Sequence, residues 1–411
     1  MHAISSNPEG WSIVKIPEVL FFQEGPGVRK WQFTDGGVKL LNVGNINKGQ
    51  INLDSTKIFI SEDEAFDKYS HFLVDAGDLL IACSGIILDN FHNKISFAEQ
   101  KHLPLCMNTS TMRFKALDEN VIDLYFFKYF LQTVHFNKQL SRLITGSAQL
   151  NFGPSHIKKI DLFLPPLAEQ QQIAAILDAA DSLRQKDQQL IDHYTALSQS
   201  LFLDMFGSYF KNKSCYREIS KVTNFIDYRG KTPERTTTGT PLISAKCVRT
   251  GYFDKSRLDF ISSDVYRQVM TRGFPKVGDV LFTTEGATMG FTCRIPDGLD
   301  MFAVGQRLIT LQSNESYNNT TLEFVLNSGE IQGEIFKQAT GSAVKGIRSA
   351  KFAKILIPTP PIYIQNQFAE RIQVIEAQKQ RAQSSLEKSE ALFNSLLQRA
   401  FSGELTGKKA A

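Results

Sequence analysis

The chain has 411 residues and a mass of 46.2 kDa, room for two to four domains at roughly 100–200 residues each. It is 42% hydrophobic and 21% charged with a mean hydropathy of −0.18, which excludes a disordered chain and a small disulfide scaffold. The five cysteines, Cys83, Cys106, Cys215, Cys247 and Cys293, form no C-x-x-C pair and follow no recognisable signal peptide, so a reducing, cytoplasmic setting without disulfides or structural zinc is expected. No run of 18 apolar residues occurs, since even the stretch from Phe72 to Leu88 is broken by Asp75, Asp78 and Ser84. No membrane span is therefore expected.

The net charge of +4 is unevenly placed. Residues 1–165 carry 16 basic and 17 acidic side chains, and residues 166–207 carry 2 and 6. Residues 208–358 carry 21 and 14, and residues 359–411 carry 7 and 5. The third block is a basic module, as a phosphate-rich partner would require.

In chain order, short β-branched or aromatic runs punctuated by Gly, Asn and Asp read as strands: Val38 to Val43 and Asp78 to Ala82. One helix is expected around Val121 to Arg142. Pro165-Pro166, with Glu169 in the first turn, then opens a long helix that Gly207 is expected to close. Strands follow at Asp279 to Thr283 and Arg307 to Leu311, a helix around Thr320 to Gln338, and a second long helix from Pro360-Pro361 to Gly403. Each long helix, at about 40 residues, should reach roughly 60 Å, beyond the radius of gyration of about 15 Å of a 150-residue domain.

These elements form two copies of one plan. Gly146-Ser147-Ala148 recurs as Gly341-Ser342-Ala343, Pro165-Pro166 as Pro360-Pro361, and Ala196-Leu197-Ser198-Gln199-Ser200-Leu201 as Ala391-Leu392-Phe393-Asn394-Ser395-Leu396, all 195 residues apart. Gly77-Asp78-Leu79 answers Gly278-Asp279-Val280 at an offset of 201. The first long helix carries an apolar stripe of Ile173, Leu177, Ala180, Ile191, Tyr194 and Leu201, beside a second row, Ile176, Leu183, Leu190 and Leu197, at strict sevens. The second helix carries Phe368, Ile372, Ile375, Ala382, Leu386, Phe393 and Leu396. Such stripes need a partner helix, and each is expected to find it in the other. The predicted fold class is α/β (α+β): two repeated mixed α/β domains separated by two long helices pairing as an antiparallel coiled coil. The expected segments are 1–165, spacer helix 166–207, 208–358, spacer helix 359–403 and a tail 404–411.

Enzyme motifs are missing from the sequence. There is no G-x-x-x-x-G-K-[ST] loop; Gly25-Pro26-Gly27 lacks the third glycine of a dinucleotide loop and places a proline where an amide is needed. The Pro-Pro pairs are followed by Leu167 and Ile362, not by the aromatic residue of an amino-methyltransferase tetrad, and the seven histidines form no H-x-x-x-H. A non-catalytic chain with no bound cofactor or metal is expected.

At the entry to each long helix the residues become specific. Gly146-Ser147-Ala148-Gln149-Leu150-Asn151-Phe152, Ile157-Lys158-Lys159-Ile160 and Leu164-Pro165-Pro166-Leu167-Ala168-Glu169-Gln170-Gln171 closely resemble the end of a target-recognition domain and the start of a spacer helix in the specificity subunit of type I restriction-modification systems. The second copy departs at Tyr363-Ile364-Gln365-Asn366-Gln367. The segments Glu24 to Phe33 and Asp227 to Pro233 are similar to sequences near the DNA side of such domains. The resemblance, over nearly the whole chain, implies a sequence-specific double-stranded DNA-binding subunit with target-recognition domains at 1–165 and 208–358. It would read a bipartite asymmetric target, bridge two modification (methyltransferase) subunits and recruit a restriction subunit through them, with S-adenosylmethionine and ATP on those partners. The rival is a coiled-coil protein-binding adaptor without DNA specificity.

Bidentate Arg reads guanine and Asn or Gln reads adenine, while Lys, Ser and Thr mostly hold phosphates. The DNA-binding candidates in the first domain are Arg29, Lys30, Asn45, Asn47, Lys48, Gln149 and Asn151. In the second they are Arg229, Lys231, Arg235, Lys246, Arg249, Lys345 and Arg348.

Overall fold

The computed structural model describes residues 8–54, 56–144, 150–228, 233–341 and 344–406. The chain divides into two units, residues 1–187 with 385–411, and residues 188–384. Each unit holds one mixed α/β domain, part of one long helix and the opposite part of the other.

In the first unit the main sheet has strands Leu20–Glu24 (β1), Leu79–Ala82 (β2), Ile95–Phe97 (β3) and Thr111–Ala116 (β4), in the order β1-β4-β2-β3. All three pairings are antiparallel. A smaller sheet places Val38–Leu41 between Phe59–Ile60, antiparallel, and Leu105–Met107, parallel. Ser12–Lys15 pairs with Asp161–Leu164 and so ties the start of the domain to the entry of the long helix. The core beneath the main sheet is rich in phenylalanine, with Phe91, Phe114, Phe126, Phe127, Phe130 and Phe136 fully buried.

The second unit repeats this plan. Its main sheet has Thr223–Asp227 (β5), Val280–Thr283 (β6), Thr292–Arg294 (β7) and Leu308–Ser313 (β8), in the order β5-β8-β6-β7. Its smaller sheet sets Thr240–Ile243 between Asp259–Ile261 and Ala303–Val304, with the same directions. Tyr216–Glu218 pairs with Leu356–Pro358. The Gly-Asp repeat is one turn built twice: Asp78 Oδ2 accepts the Asp75 amide at 2.9 Å and Asp279 Oδ2 the Lys276 amide at 2.7 Å. Gly77 and Gly278 hold φ near +93° and +83°, a left-handed conformation that favours glycine.

The expected single helix in each domain is two. Leu124–Phe130 and Val134–Leu143 are separated in the first, Asn319–Asn327 and Gly329–Gln338 in the second. The interruption is an N-cap in each case. Thr133 Oγ1 accepts the Phe136 amide and donates to the Phe130 carbonyl, and Ser328 Oγ accepts the Ile331 amide and donates to the Val325 carbonyl.

The long helices run Leu167–Lys211 (α1) and Ile362–Phe401 (α2). Gly207 does not end α1. It is flanked by buried Phe206, and Met205, Tyr209 and Phe210 pack on the second core, which outweighs the ~1 kcal/mol that glycine costs a helix. In the first unit the pairing is antiparallel: Glu169 meets Thr406, and Arg184 lies 4.7 Å over the Phe393 ring. Ile173, Leu177 and Ala180 there share a core with Phe393, Leu397 and Phe401. In the second unit Phe202 and Phe206 contact Phe368 at 5.9 and 5.0 Å between centroids. The second apolar row is not part of these cores, with Leu183, Leu190 and Leu197 being 46%, 45% and 42% exposed. The helix needs only one stripe to meet its partner. None of the described helices is long and apolar enough to cross a membrane.

Candidate nucleic-acid interface

In the first unit four loops meet around the turn Asn108 to Ser110, which leads into β4. The Gly25 amide donates to the Thr111 carbonyl at 3.0 Å, and a Cβ on Gly25 would lie 2.5 Å from the Asn108 carbonyl oxygen. Glycine is therefore required where this loop leaves β1. Asn108 Nδ2 donates to Asn42 Oδ1 at 2.9 Å, and the Val43 amide to Ser110 Oγ at 3.1 Å. The Cys83 amide reaches the Ser110 carbonyl at 2.9 Å, and the Phe152 amide reaches the Cys83 carbonyl at 3.0 Å. Burial, with the Glu24 carboxylate nearby, pushes the Cys83 thiol up to about 12. It is protonated at neutral pH and no nucleophile.

The second unit builds the same junction at Gly305 to Arg307. The Gly305 amide donates to the Ile243 carbonyl at 2.7 Å, as the Asn108 amide does to Leu41 at 3.2 Å. The Thr284 amide donates to the Arg307 carbonyl at 3.0 Å, and the Ile347 amide to the Thr284 carbonyl at 2.9 Å. Asp227, Glu285, Gln306, Arg348 and Ser349 line a cavity of ≈ 360 Å³ there. Arg307 pairs with Glu285 at 3.0 Å, and Ser349 Oγ donates to Asp227.

The candidate residues divide by role on this frame. Arg29 and Lys30 are exposed on the loop that leaves Gly25. Asn47 and Lys48 are exposed at a hairpin between Ile46–Asn47 and Gln50–Ile51, with Lys48 and Gly49 at φ of 52° and 70° forming its two-residue turn. Asn151 is exposed, and its Oδ1 accepts the Gly85 amide at 2.7 Å. Asn45 is different: it is buried, and its side chain bonds the Asn42 amide, the Asn52 carbonyl and Thr56 Oγ1 at 2.9, 3.0 and 3.1 Å. It builds the loop and offers no edge to a base.

In the second unit Lys345 and Arg348 are exposed at the junction, and the Lys345 carbonyl accepts the Gly286 amide at 3.1 Å. Arg249 is half-buried beside the hairpin turn opposite Tyr252, its Nη1 donating to the Val248 carbonyl at 2.9 Å. Arg235 and Lys246 are brought together by Asp259, at 3.5 and 3.0 Å. Gln149, Arg229 and Lys231 lie outside the described residues. Sequence reasoning missed the two central turns and the Glu285–Arg307 pair. The 201-residue offset points only to the loop beside each turn, since it aligns Cys83 to Gly85 with Thr284 to Gly286, whereas the turns themselves are 197 residues apart. No group of His, Cys, Asp and Glu that could hold a metal occurs among the described residues.

The family model for the type I restriction modification DNA specificity domain matches residues 8–192 and again 226–388. The chain belongs to this family. The two matches coincide with the two copies of the fold and, as a type I specificity subunit, the chain is a DNA-recognising, non-catalytic component of a restriction-modification system. The MjaVIII specificity subunit of Methanocaldococcus jannaschii is 31% identical over 180 residues, 44% of this chain and 41% of that relative. The EcoKI specificity subunit of Escherichia coli K12 is 21% identical over 429 residues, 98% of this chain and 90% of that relative. The fold is shared with the S subunit of the type I system from M. genitalium, at a TM-score of 0.59 and 14% identity, covering 97% of this chain and 98% of that one.

Proposed function

We propose that this specificity subunit reads a bipartite, asymmetric double-stranded DNA target, one half-site per α/β domain, and bridges two modification subunits through which a restriction subunit is recruited. The observation that carries this reading is the repeated junction. In each copy the loops bearing the exposed candidates, Arg, Lys and Asn in the first and Arg and Lys in the second, are gathered on one turn, Asn108 to Ser110 or Gly305 to Arg307. The loops differ in sequence while the frame beneath them is the same, as two readers of unlike half-sites require. Arg29, Lys30, Asn47, Lys48 and Asn151 are the contacts proposed for one half-site. Arg249, Lys345 and Arg348 are proposed for the other, with Arg235 and Lys246 as phosphate contacts. S-adenosylmethionine and ATP belong to the partner subunits in this reading. The proposed recognition domains are 1–165 and 208–358. The test is an exchange of residues 1–165 for the same block of a relative, followed by mapping of methylated adenines. One half of the target should change and the other remain; a simultaneous change in both halves would contradict two independent readers.

A further inference from the structure

Trp31 is 79% exposed, whereas the only other tryptophan, Trp11, is 6% exposed in the first core. An exposed indole is expensive to leave in water, and this one is carried by a well-anchored turn. It sits in the 3₁₀ turn Lys30–Gln32, whose last residue is a buried anchor. Gln32 Oε1 accepts the Arg29 amide at 3.0 Å, and its Nε2 donates to Glu64 Oε1 and Tyr69 Oη at 2.8 and 3.0 Å. Val28 is buried on the N-terminal side, and Gly25 packs against the Asn108 backbone. The result is a rigid tip with the exposed sequence Arg29-Lys30-Trp31, two cations beside one aromatic ring.

We infer that Trp31 is an aromatic wedge that stacks into a base step of the DNA at the first half-site, while Arg29 and Lys30 hold the flanking phosphates. The inference rests on the DNA-reading role proposed above. Aromatic and apolar wedges inserted between base steps partly unstack them and kink the duplex, and adjacent cations place the ring against the groove. A pre-ordered tip loses little conformational freedom on insertion.

The test uses the full-length chain co-purified with its modification subunits and a duplex carrying the methylome-mapped target, titrated at several salt concentrations. Trp31→Ala should weaken specific binding about 5- to 150-fold, the range of a lost stacking contact. The slope of log affinity against log salt should stay unchanged, because an indole releases no counterions. Trp31→Phe should restore most of the loss, and both variants should keep the wild-type melting temperature. Binding by Trp31→Ala within two-fold of wild type would overturn the wedge while leaving the two-reader reading intact. A loss accompanied by a shallower salt slope, or by weaker retention of the modification subunits, would also overturn it. If the wild-type complex bound no duplex specifically, the proposed function itself would fall.

Discussion

Gln170 and Gln365, 195 residues apart, are both fully buried and make the same three hydrogen bonds. Gln170 Oε1 accepts the Asp123 amide at 2.9 Å, and its Nε2 donates to the Val121 and Pro165 carbonyls at 2.9 and 2.8 Å. Gln365 repeats this with the Asn318 amide at 2.9 Å and the Ser316 and Pro360 carbonyls at 3.2 and 2.7 Å. In each unit one amide side chain fixes the first turn of a long helix to the short helices of the domain before it. Gln170→Leu and Gln365→Leu should each destabilise the unit that contains them by at least ~2 kcal/mol, because three buried polar groups lose their partner. Urea unfolding followed by circular dichroism checks this, and an unchanged midpoint in either variant would contradict it.

That second clamp also shows what a repeat hides from the eye. The stretch Tyr363 to Gln367 departs from its counterpart at three of five positions and keeps the glutamine that carries the bonds. The twofold plan, the long helices after Pro-Pro and the Gly-Asp repeat were all legible, because proline, glycine and short apolar runs act locally. Features decided by which hydrogen bonds and packing contacts a side chain makes were not. Thr133 and Ser328 look unremarkable within a helical pattern, yet each splits it by capping the next helix. Gly207 reads as a stop, and the aromatic residues around it pack the helix onward to Lys211. Asn45 reads as a loop donor, and its partners seven and eleven residues on draw it inside.

Arg294 ties β7 to both helical layers of the second unit. Its Nε pairs with buried Glu323 at 2.5 Å, its Nη1 donates to Thr320 Oγ1 at 3.1 Å, and its Nη2 bonds Glu376 on α2. Burial raises the Glu323 carboxyl above its ordinary range, and Arg294 opposes that rise. Arg294→Met should therefore cost about 3–5 kcal/mol by leaving a buried carboxylate unpaired, and adding Glu323→Leu should recover most of it. A carboxyl with a raised folded pKa is stabilising below its unfolded pKa and loses that contribution as pH rises through the folded value. The deficit of Arg294→Met should accordingly be greatest near pH 7.5 and shrink toward pH 5. A deficit independent of pH, measured by thermal unfolding, would contradict this.

His102 is buried, its Nδ1 accepts the Glu99 amide at 3.0 Å, and burial lowers its pKa from the ordinary value. Burial also lowers His92 and His135 in the same unit. Since the fold favours the neutral rings, their contribution is complete above the unfolded pKa, near 6.5, and is lost as pH falls through the folded values. Stability of the first unit should drop between about pH 7 and 5.5, each ring contributing no more than ~1.4 kcal/mol per pH unit. His102→Asn, which keeps an acceptor for the Glu99 amide and cannot titrate, should flatten this dependence in urea midpoints taken at the two pH values. An equal slope in variant and wild type would show that His102 carries none of it.

Loop position and loop chemistry separate at Asn45 and Lys30. Lys30→Ala and Arg29→Ala should leave thermal stability unchanged and each reduce the salt slope of DNA binding by about one. Asn45→Ala should leave the slope unchanged and lower the stability of the first unit by about 1–3 kcal/mol, the cost of stranding its buried partners. Fluorescence-anisotropy titrations in a salt series, paired with melting curves, distinguish the two.

The most direct test of the account is a methylome map from a host carrying the modification subunits with this chain, set beside one in which residues 1–165 come from a relative. Two independent recognition domains predict a bipartite asymmetric target in the first map and a second target that shares one half and differs in the other. A target without two separated halves, or an exchange that alters both halves together, would contradict the reading of two independent recognition domains in one chain.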